Sequence, residues 1–381
     1  MAAVLRPERY SPAAAPHSRA TRADNIRVMI VDDSLTVRTV FSRMIDREND
    51  LSVVADADTA EKALLALRST DVDVILLDLE MPGMGGIEAL PRLLQRAAQA
   101  QVLVVSSLTQ DGAEHTLTAL SMGAADTMLK PRPGGFNDEY RDALLAKIRA
   151  LGGQAQVTES GAALEATALP LRRRTKVPRV VAIGASTGGI HALNLFLRRL
   201  PREFDLPILI TQHLPESFMP VFARQAEVAA GRRAVLADEG TSIERGRIVI
   251  APGYGHMVVR RAHPGMISDT GAVTGLAHNR ATSGCMPSVD PMFESLAECF
   301  EGHVAAVLLS GMGRDGTEGA GAVARAGGAV YAQNEESCAV WGMPRGVTES
   351  GIATAVLPPE QLADAVVEAA GLVASGAAAC P

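Results

Sequence analysis

Short apolar runs rich in β-branched residues alternate along this chain with longer segments in which apolar residues recur at helical spacing. The first five runs follow Asn25 and read IRVMIV, LSVVAD, VDVILLD, QVLVVSS and DTMLK. Each run precedes an amphipathic segment, and the last of these segments covers about 137–151. The alternation predicts five β-α units that form a parallel sheet with helices on both faces.

A second alternation follows a stretch that has no hydrophobic face. Its apolar runs are RVVAIGAST, LPILITQH, GRIVIAPG, AAVLLSGMG and AVYAQ, and a helix near 360–372 closes it. We therefore predict an α/β protein with two doubly wound parallel-sheet domains in series, at 26–151 and 178–381. The intervening stretch at 152–177 is predicted to be a linker, and residues 1–25 a disordered extension.

Composition narrows the class of protein. Hydrophobic residues make up 47% and charged residues 21% of the 381 residues, as in globular proteins. Because no apolar stretch has membrane-spanning length and no signal-peptide core is present, we expect a cytoplasmic protein that is not inserted in a membrane. The net charge of -7 argues against nucleic acid as a partner. The spacing of the four cysteines indicates neither a zinc site nor a disulfide framework.

Polar residues end the strands of the first predicted domain, at the edge where doubly wound sheets bind ligands. Asp32 and Asp33 follow the first strand, Asp78 ends the third, Ser106 the fourth, and Lys130 follows the fifth. Three converging carboxylates repel one another unless a cation such as Mg²⁺ lies among them. An aspartate beside Mg²⁺ is a competent nucleophile toward phosphorus. The alternative is that these residues only cap the following helices.

Residues from Ile26 to about Leu151 resemble a response-regulator receiver domain, with VDDS, LLDLEMPGMGG, VVSS and KP in matching order. The resemblance implies a flavodoxin-like fold with Asp78 as the phosphoacceptor, and Ser106 and Lys130 as sensors of the phosphoryl group. It also implies a Mg²⁺ site formed by Asp32, Asp33, Asp78 and the backbone carbonyl of Glu80. Where many receivers carry an aromatic switch residue, this chain has Thr127, so the aromatic part of the switch is missing.

A serine in the second predicted domain lies on a turn between a strand and a helix. Ser186 is the central residue of a G-x-S-x-G pattern at 184–188, which is typical of a nucleophile elbow. A dinucleotide-binding glycine loop is the competing interpretation, but it requires an acidic residue at the end of the next strand. That strand ends in Gln212 and His213. Asp315 follows a later strand, so the carboxyl edge of one sheet is expected to hold a serine, a base and an acid.

The second domain resembles the chemotaxis protein-glutamate methylesterases in the segments AIGASTGG, ITQHLPESF, IAPGYGHM, PSVDPMF, LSGMGRDG and AQNEESCAVWGMPR. The resemblance implies a Rossmann-like α/β esterase in which Ser186 is the nucleophile, His213 the general base and Asp315 the orienting acid. Asp290 is the rival acid in the sequence. By the same resemblance, Thr187 and Met312 lie beside the site, where a backbone N–H could bind the oxyanion.

The function implied is a phosphorylation-regulated serine esterase that hydrolyses glutamate methyl esters, and deamidates glutamines, on chemoreceptors. A histidine kinase is the implied phosphodonor, methylated membrane chemoreceptors are the implied substrate, and the esterase chemistry is expected to need no cofactor. The receiver is expected to dock over the esterase while Asp78 is unmodified. One alternative is a receiver-controlled adaptor that binds without turnover. A transcription factor would need a basic DNA-reading element, which the sequence does not offer.

Overall fold

The computed structural model describes residues 25–106, 110–131, 135–157, 175–263 and 268–372. Residues 1–24, which make up nearly all of the predicted N-terminal extension, and most of the predicted linker lie outside these ranges. Within the described residues, no helix is both long enough and apolar enough to cross a membrane.

The first domain is a five-stranded parallel sheet with helices on both faces, as predicted. The strands are β1 Ile26–Val31, β2 Leu51–Ala57, β3 Val74–Asp78, β4 Gln101–Ser106 and β5 Asp126–Leu129. The helices are α1 Leu35–Ile45, α2 Ala60–Ala66, α3 Gly86–Arg96, α4 Gln110–Ser121 and α5 Asp138–Val157. The strand order β2-β1-β3-β4-β5 is the flavodoxin-like order. It brings the carboxyl ends of β1 and β3 side by side.

Local sequence explains where the first helices begin. The Ser34 hydroxyl accepts a hydrogen bond from the backbone N–H of Val37 at 3.4 Å, and the Thr59 hydroxyl accepts one from Lys62 at 3.3 Å. Such caps satisfy backbone donors that have no partner inside the helix. The first of these caps starts α1 directly after Asp32 and Asp33, so both carboxylates stay at the edge of the sheet.

The second domain is built on a seven-stranded parallel sheet in the order β14-β13-β12-β6-β7-β9-β8. The strands are β6 Val180–Ala185, β7 Ile208–Gln212, β8 Ala234–Leu236, β9 Ile248–Ile250, β10 His256–Arg261, β11 Ala272–Ala277, β12 Val304–Leu308, β13 Ala329–Gln333 and β14 Ala355–Leu357. The helices are α6 Gly189–Arg199, α7 Met219–Ala230, α8 Val289–Cys299, α9 Thr317–Arg325, α10 Met343–Glu349 and α11 Pro359–Ala369. The predicted fold class, two doubly wound α/β domains in series, is confirmed.

Two features of the chain differ from the sequence-based expectation. β10 and β11 pair antiparallel in a separate hairpin, which the parallel pattern did not predict. Helix α5 ends at Val157 rather than near Leu151, and Gly152 lets it lie against Ile26, since a Cβ there would stand 2.3 Å from that side chain. At the other end of the predicted linker, Lys176 already donates a backbone hydrogen bond to Gly327 at 2.9 Å. The exact domain boundaries stay predictions.

Candidate active site and phosphoacceptor site

The first candidate site lies at the carboxyl ends of β1 and β3. Asp32 and Asp78 are each 2% exposed, and the Lys130 ammonium reaches both, at 2.9 Å from Asp32 Oδ2 and 2.6 Å from Asp78 Oδ2. Burial raises the pKa of the Asp78 carboxyl, although Lys130 opposes the shift. Burial lowers the pKa of Lys130, but its hydrogen bonds to Asp78 and Asp32 outweigh this and raise it. The lysine therefore stays charged beside the predicted phosphoacceptor.

The carboxylates of this site form a donor set for a hard cation. Oxygen atoms of Asp32, Asp33 and Asp78 all lie within 4.8 Å of one another. Asp78 Oδ1 accepts a hydrogen bond from the backbone N–H of Glu80 at 3.1 Å, which places the Glu80 backbone next to the cluster. Oxygen ligands at this spacing suit Mg²⁺.

Two buried hydroxyls, one on β4 and one on β5, lack partners among the described residues. Ser106 is 1% exposed at the end of β4, and its Oγ has no hydrogen-bond partner in the part of the chain that the structure covers. Thr127, which stands where many receivers carry an aromatic residue, is buried in β5, and its Oγ1 likewise has no partner among the described residues. A buried hydroxyl without a partner costs free energy. A phosphoryl oxygen that arrives near Ser106 would provide the missing hydrogen-bond acceptor.

The second candidate site is built on the turn between β6 and α6. The Ser186 backbone N–H donates to Ser310 O at 3.0 Å, and the Gln212 side chain donates to Ser186 O at 3.0 Å. Gly188 adopts φ +75°, and a Cβ there would stand 2.5 Å from Ala339 Cβ and 2.6 Å from Ser310 Oγ. Only glycine fits such a position. The turn is thereby held with Ser186 half-buried at the mouth of the site.

The fold brings the predicted serine, histidine and aspartate into one hydrogen-bonded chain. His213 Nδ1 lies 3.2 Å from Ser186 Oγ, and His213 Nε2 lies 2.8 Å from Asp315 Oδ2. The strands that carry these residues, β6, β7 and β12, are neighbours in the sheet, so their carboxyl ends converge. In this arrangement Nδ1 faces the hydroxyl and Nε2 faces the carboxylate.

Asp315 is held as an anion by groups that the sequence analysis did not identify. Its Oδ1 accepts from the Ser288 hydroxyl at 2.6 Å, and its Oδ2 accepts from the backbone N–H of Val289 at 2.8 Å. Burial alone would raise the pKa of Asp315, but His213 and these donors hold it well below its usual range. His256, fully buried, accepts from the Ser288 backbone N–H at 2.9 Å and so supports this contact.

The rival acid Asp290 does not contact His213 in the hydrogen-bond network. Its Oδ1 accepts from the backbone N–H of Gly319 at 2.7 Å, which ties α8 to α9. Burial raises its pKa to about 6, and the nearby Asp315 carboxylate acts in the same direction. The Asp290 carboxylate therefore connects two helices in this structure.

Burial and two neighbouring side chains act in opposite directions on the pKa of His213. Burial lowers its pKa, but Asp315 and the neighbouring Cys285 outweigh this effect and raise the pKa to about 9. The imidazole is therefore largely protonated near neutral pH, and it becomes a base as the pH rises.

Of the two residues predicted to flank the oxyanion, one faces the receiver. The Thr187 hydroxyl donates to Asp126 Oδ2 on β5 at 2.6 Å, while Met312 is 46% exposed. Next to Thr187, the Gly188 backbone N–H donates to Ala125 O of the receiver at 2.5 Å. His191 Nδ1 lies 3.0 Å from Ser121 O at the end of α4. The receiver thus contacts the residues directly after the candidate nucleophile.

Comparison with known proteins gives the same division of the chain. A family model described as response regulator receiver domain matches residues 28–135, and one described as CheB methylesterase matches residues 181–366. The chain is therefore a response regulator whose second domain is a hydrolase. The Caulobacter vibrioides protein-glutamate methylesterase/protein-glutamine glutaminase 2 is 41% identical over 92% of this chain and 100% of that protein. This chain belongs to the CheB methylesterase family.

Further relatives span both domains or one of them. The protein-glutamate methylesterase/protein-glutamine glutaminase of Azospirillum brasilense is 38% identical over 94% of this chain and 95% of its own length. The solved catalytic domain of the Thermotoga maritima CheB methylesterase is 34% identical, with a TM-score of 0.47, and covers 50% of this chain and 98% of its own length.

Proposed function

We propose that this chain hydrolyses methyl esters of glutamate side chains and amides of glutamine side chains, with Ser186 as its nucleophile. The activity follows from the family, whose members are named protein-glutamate methylesterase/protein-glutamine glutaminase. The assignment of residues rests on one observation, the hydrogen-bonded chain from Ser186 Oγ through His213 to Asp315.

The reaction is an acyl transfer in two steps. His213 Nδ1 takes the proton of Ser186 Oγ, which attacks the ester carbonyl, and the same proton then leaves with methanol or ammonia. A water molecule activated by His213 releases the glutamate side chain and restores Ser186. Asp315 keeps the imidazole oriented and stabilises its charged form in both steps. Backbone N–H groups at Thr187 and Met312 are the proposed donors to the oxyanion.

In the receiver, we assign Asp78 as the phosphoacceptor. Asp32, Asp33, Asp78 and the Glu80 carbonyl would hold Mg²⁺, which when bound would neutralise charge during phosphoryl transfer. Lys130 pairs with the incoming phosphoryl oxygens, and the unpartnered Ser106 hydroxyl donates to one of them. The phosphodonor is a kinase, for which a histidine kinase is the proposed class.

Methylated membrane chemoreceptors are the proposed substrate, and the cytoplasm the proposed location. The names of the relatives and the receiver domain support this assignment over the alternative of an adaptor that binds without turnover. A complete serine, histidine and aspartate arrangement also counts against the adaptor, since binding alone does not require it.

The unphosphorylated receiver is proposed to restrain the esterase through the contacts of Asp126 and Ala125 with the nucleophile turn. Met312 remains exposed, so the receiver does not cover this residue. Phosphorylation at Asp78 would weaken this contact by moving the loops that carry Ser106 and Lys130.

Methanol release from isolated methylated receptor membranes tests the catalytic assignment. Ser186→Ala should lower the rate on the order of 10⁴-fold or more, because the covalent step is lost, while circular dichroism stays unchanged. Near-normal methanol release by a folded Ser186→Ala variant would refute the covalent mechanism.

A further inference from the structure

A third side chain that can bind metal lies beside the proposed catalytic pair. One ligand atom each of His213, Cys285 and Asp315 lies within 4.8 Å of the other two. Cys285 belongs to the loop before α8, and the proposed reaction gives it no task. The three residues are far apart in the sequence, which is why their spacing gives no sign of a metal site.

The chemistry of these donors favours one kind of ion. An imidazole nitrogen, a thiolate and a carboxylate are the ligands that Zn²⁺ takes in proteins, with a water molecule in the fourth position. The cluster in the receiver offers only carboxylates and backbone oxygen, which suit Mg²⁺. The described residues therefore form two clusters, of which one suits Zn²⁺ and the other Mg²⁺.

The surroundings of the cluster allow an ion to enter. The Cys285 sulfur lies 4.0 Å from Ser283 O and close enough to His213 to raise the pKa of that imidazole. Met286, the chain neighbour of Cys285, is 43% exposed, and Met312 is 46% exposed. The contacts of Asp315 with Ser288 and Val289 fix its carboxylate while leaving it acceptor capacity for an ion.

Binding of Zn²⁺ at this cluster and the hydrogen bond that orients His213 exclude each other. With Zn²⁺ to ligand distances of about 2.0 to 2.3 Å in a tetrahedron, neighbouring ligand atoms stand roughly 3.3 to 3.6 Å apart. His213 Nε2 and Asp315 Oδ2 are 2.8 Å apart, so an ion bound by these two atoms requires them to separate and exchange their hydrogen bond for the ion. The bound imidazole then loses the partner that orients it toward Ser186.

We propose that His213, Cys285 and Asp315 form an inhibitory Zn²⁺ site at the mouth of the esterase. The inhibitory part rests on the proposed role of His213 as the general base, whereas the binding part does not. Zinc acts at this site by capturing the base, and Cys285 makes the capture selective for a thiophilic ion over Mg²⁺.

The binding test uses untagged full-length protein, with Asp78→Ala and excess Mg²⁺ to suppress zinc binding at the receiver cluster. Competition with a zinc indicator should show that Cys285→Ser and Cys285→Ala bind Zn²⁺ at least about tenfold more weakly. Cys299→Ser is the matched control, since Cys299 is also partly buried but lies outside the cluster. It should bind as the parent does.

The absorption spectrum of bound Co²⁺ shows directly whether the Cys285 thiolate is a ligand. Co²⁺ should give a thiolate-to-metal charge-transfer band in the parent and in Cys299→Ser, and no such band in either Cys285 variant. Circular dichroism checks that each variant is folded. Equal zinc affinity and an unchanged cobalt band in the folded Cys285 variants would overturn the proposal.

Methanol release separates this proposal from the proposed function. Zinc should inhibit the parent at concentrations that leave Cys285→Ser active, each rate being compared with its own zinc-free value. Cys285-dependent binding without inhibition would overturn the inhibitory role and also the assignment of His213 as the base. If the Cys285 variants bind Zn²⁺ as tightly as the parent while methanol release still depends on Ser186, the zinc site alone is overturned.

Discussion

The protonation of His213 governs the pH dependence expected of the esterase. The pKa of about 9 lies above the ordinary value of 6.5, and catalysis needs the neutral form. The value of kcat/KM should therefore rise about tenfold per pH unit from pH 7 and level off near pH 9. Methanol release across this range measures it, with Ser186→Ala as the blank for alkaline hydrolysis of the ester.

Asp315→Asn tests whether Asp315 causes the raised pKa of His213. Removing the carboxylate charge should return the pKa of His213 toward its ordinary value and shift the rising limb of the profile to lower pH. The rate at its plateau should fall, but less than in Ser186→Ala, because nucleophile and base remain. An unshifted limb would show that Asp315 does not set the protonation of His213.

The residues that could be predicted from sequence are those at strand ends. Ser186 and His213 follow buried strands directly, Asp315 lies in the loop after β12, and a parallel sheet gathers such ends at one edge. Ser288 could not be predicted, because its contact with Asp315 arises where the loop before α8 passes the sheet. The position of Cys285 depends on the same loop.

The turn at the start of α6 should tolerate no side chain at Gly188. Gly188→Ala would suffer both a left-handed φ and close contacts with Ala339 and Ser310. Gly231, at the end of α7, has φ +61° and open space where a Cβ would stand, with no other atom within 4 Å, so Gly231→Ala isolates the conformational cost. We expect about 1 kcal/mol of lost stability at Gly231 and about 1 to 3 kcal/mol more at Gly188.

Chemical denaturation of both variants measures the difference, and methanol release shows its effect on the site. Equal losses of stability in the two variants would mean that the turn can move to accommodate a methyl group at Gly188.

Strand β5 carries the contact through which the receiver is proposed to restrain the esterase. Asp126 accepts from the Thr187 hydroxyl and pairs with Lys147, so Asp126→Ala removes a charged partner from the interface. Methanol release by the unphosphorylated chain should rise about fivefold or more, in the range typical of coupled sites. Asp142→Ala, on the exposed side of α5, is the control. An unchanged rate in Asp126→Ala would exclude this contact as a restraint.

Elements with long, regular patterns were predictable, and short ones were not. In both parallel sheets, the strands that have clear apolar runs appear where expected. Strands β8 and β14 were not predicted, since they are three residues each and only half-buried. The hairpin of β10 and β11 has too weak an alternation to reveal its antiparallel pairing, which depends on packing against α8.

At the scale of the whole molecule, the two α/β domains follow from the sequence pattern, but their contact does not. The interface joins backbone groups of Ala125 and Ser121 to the turn and first residues of α6, and Glu114 to Arg224 at 2.8 Å. Val340 belongs to the same apolar cluster as the receiver residues Ala125 and Met128. Contacts through backbone atoms and single apolar side chains leave no periodic trace in a sequence.

The most direct test of the account is phosphodonor-dependent methanol release by the full-length chain acting on methylated receptor membranes. Acetyl phosphate with Mg²⁺ should raise the rate, and a tenfold rise would correspond to about 1.4 kcal/mol of shift away from the docked form. Asp78→Ala, or EDTA added before the phosphodonor, should abolish the rise while leaving the basal, Ser186-dependent rate. An equal rise in the Asp78→Ala variant would contradict the claim that phosphorylation of the receiver controls this esterase.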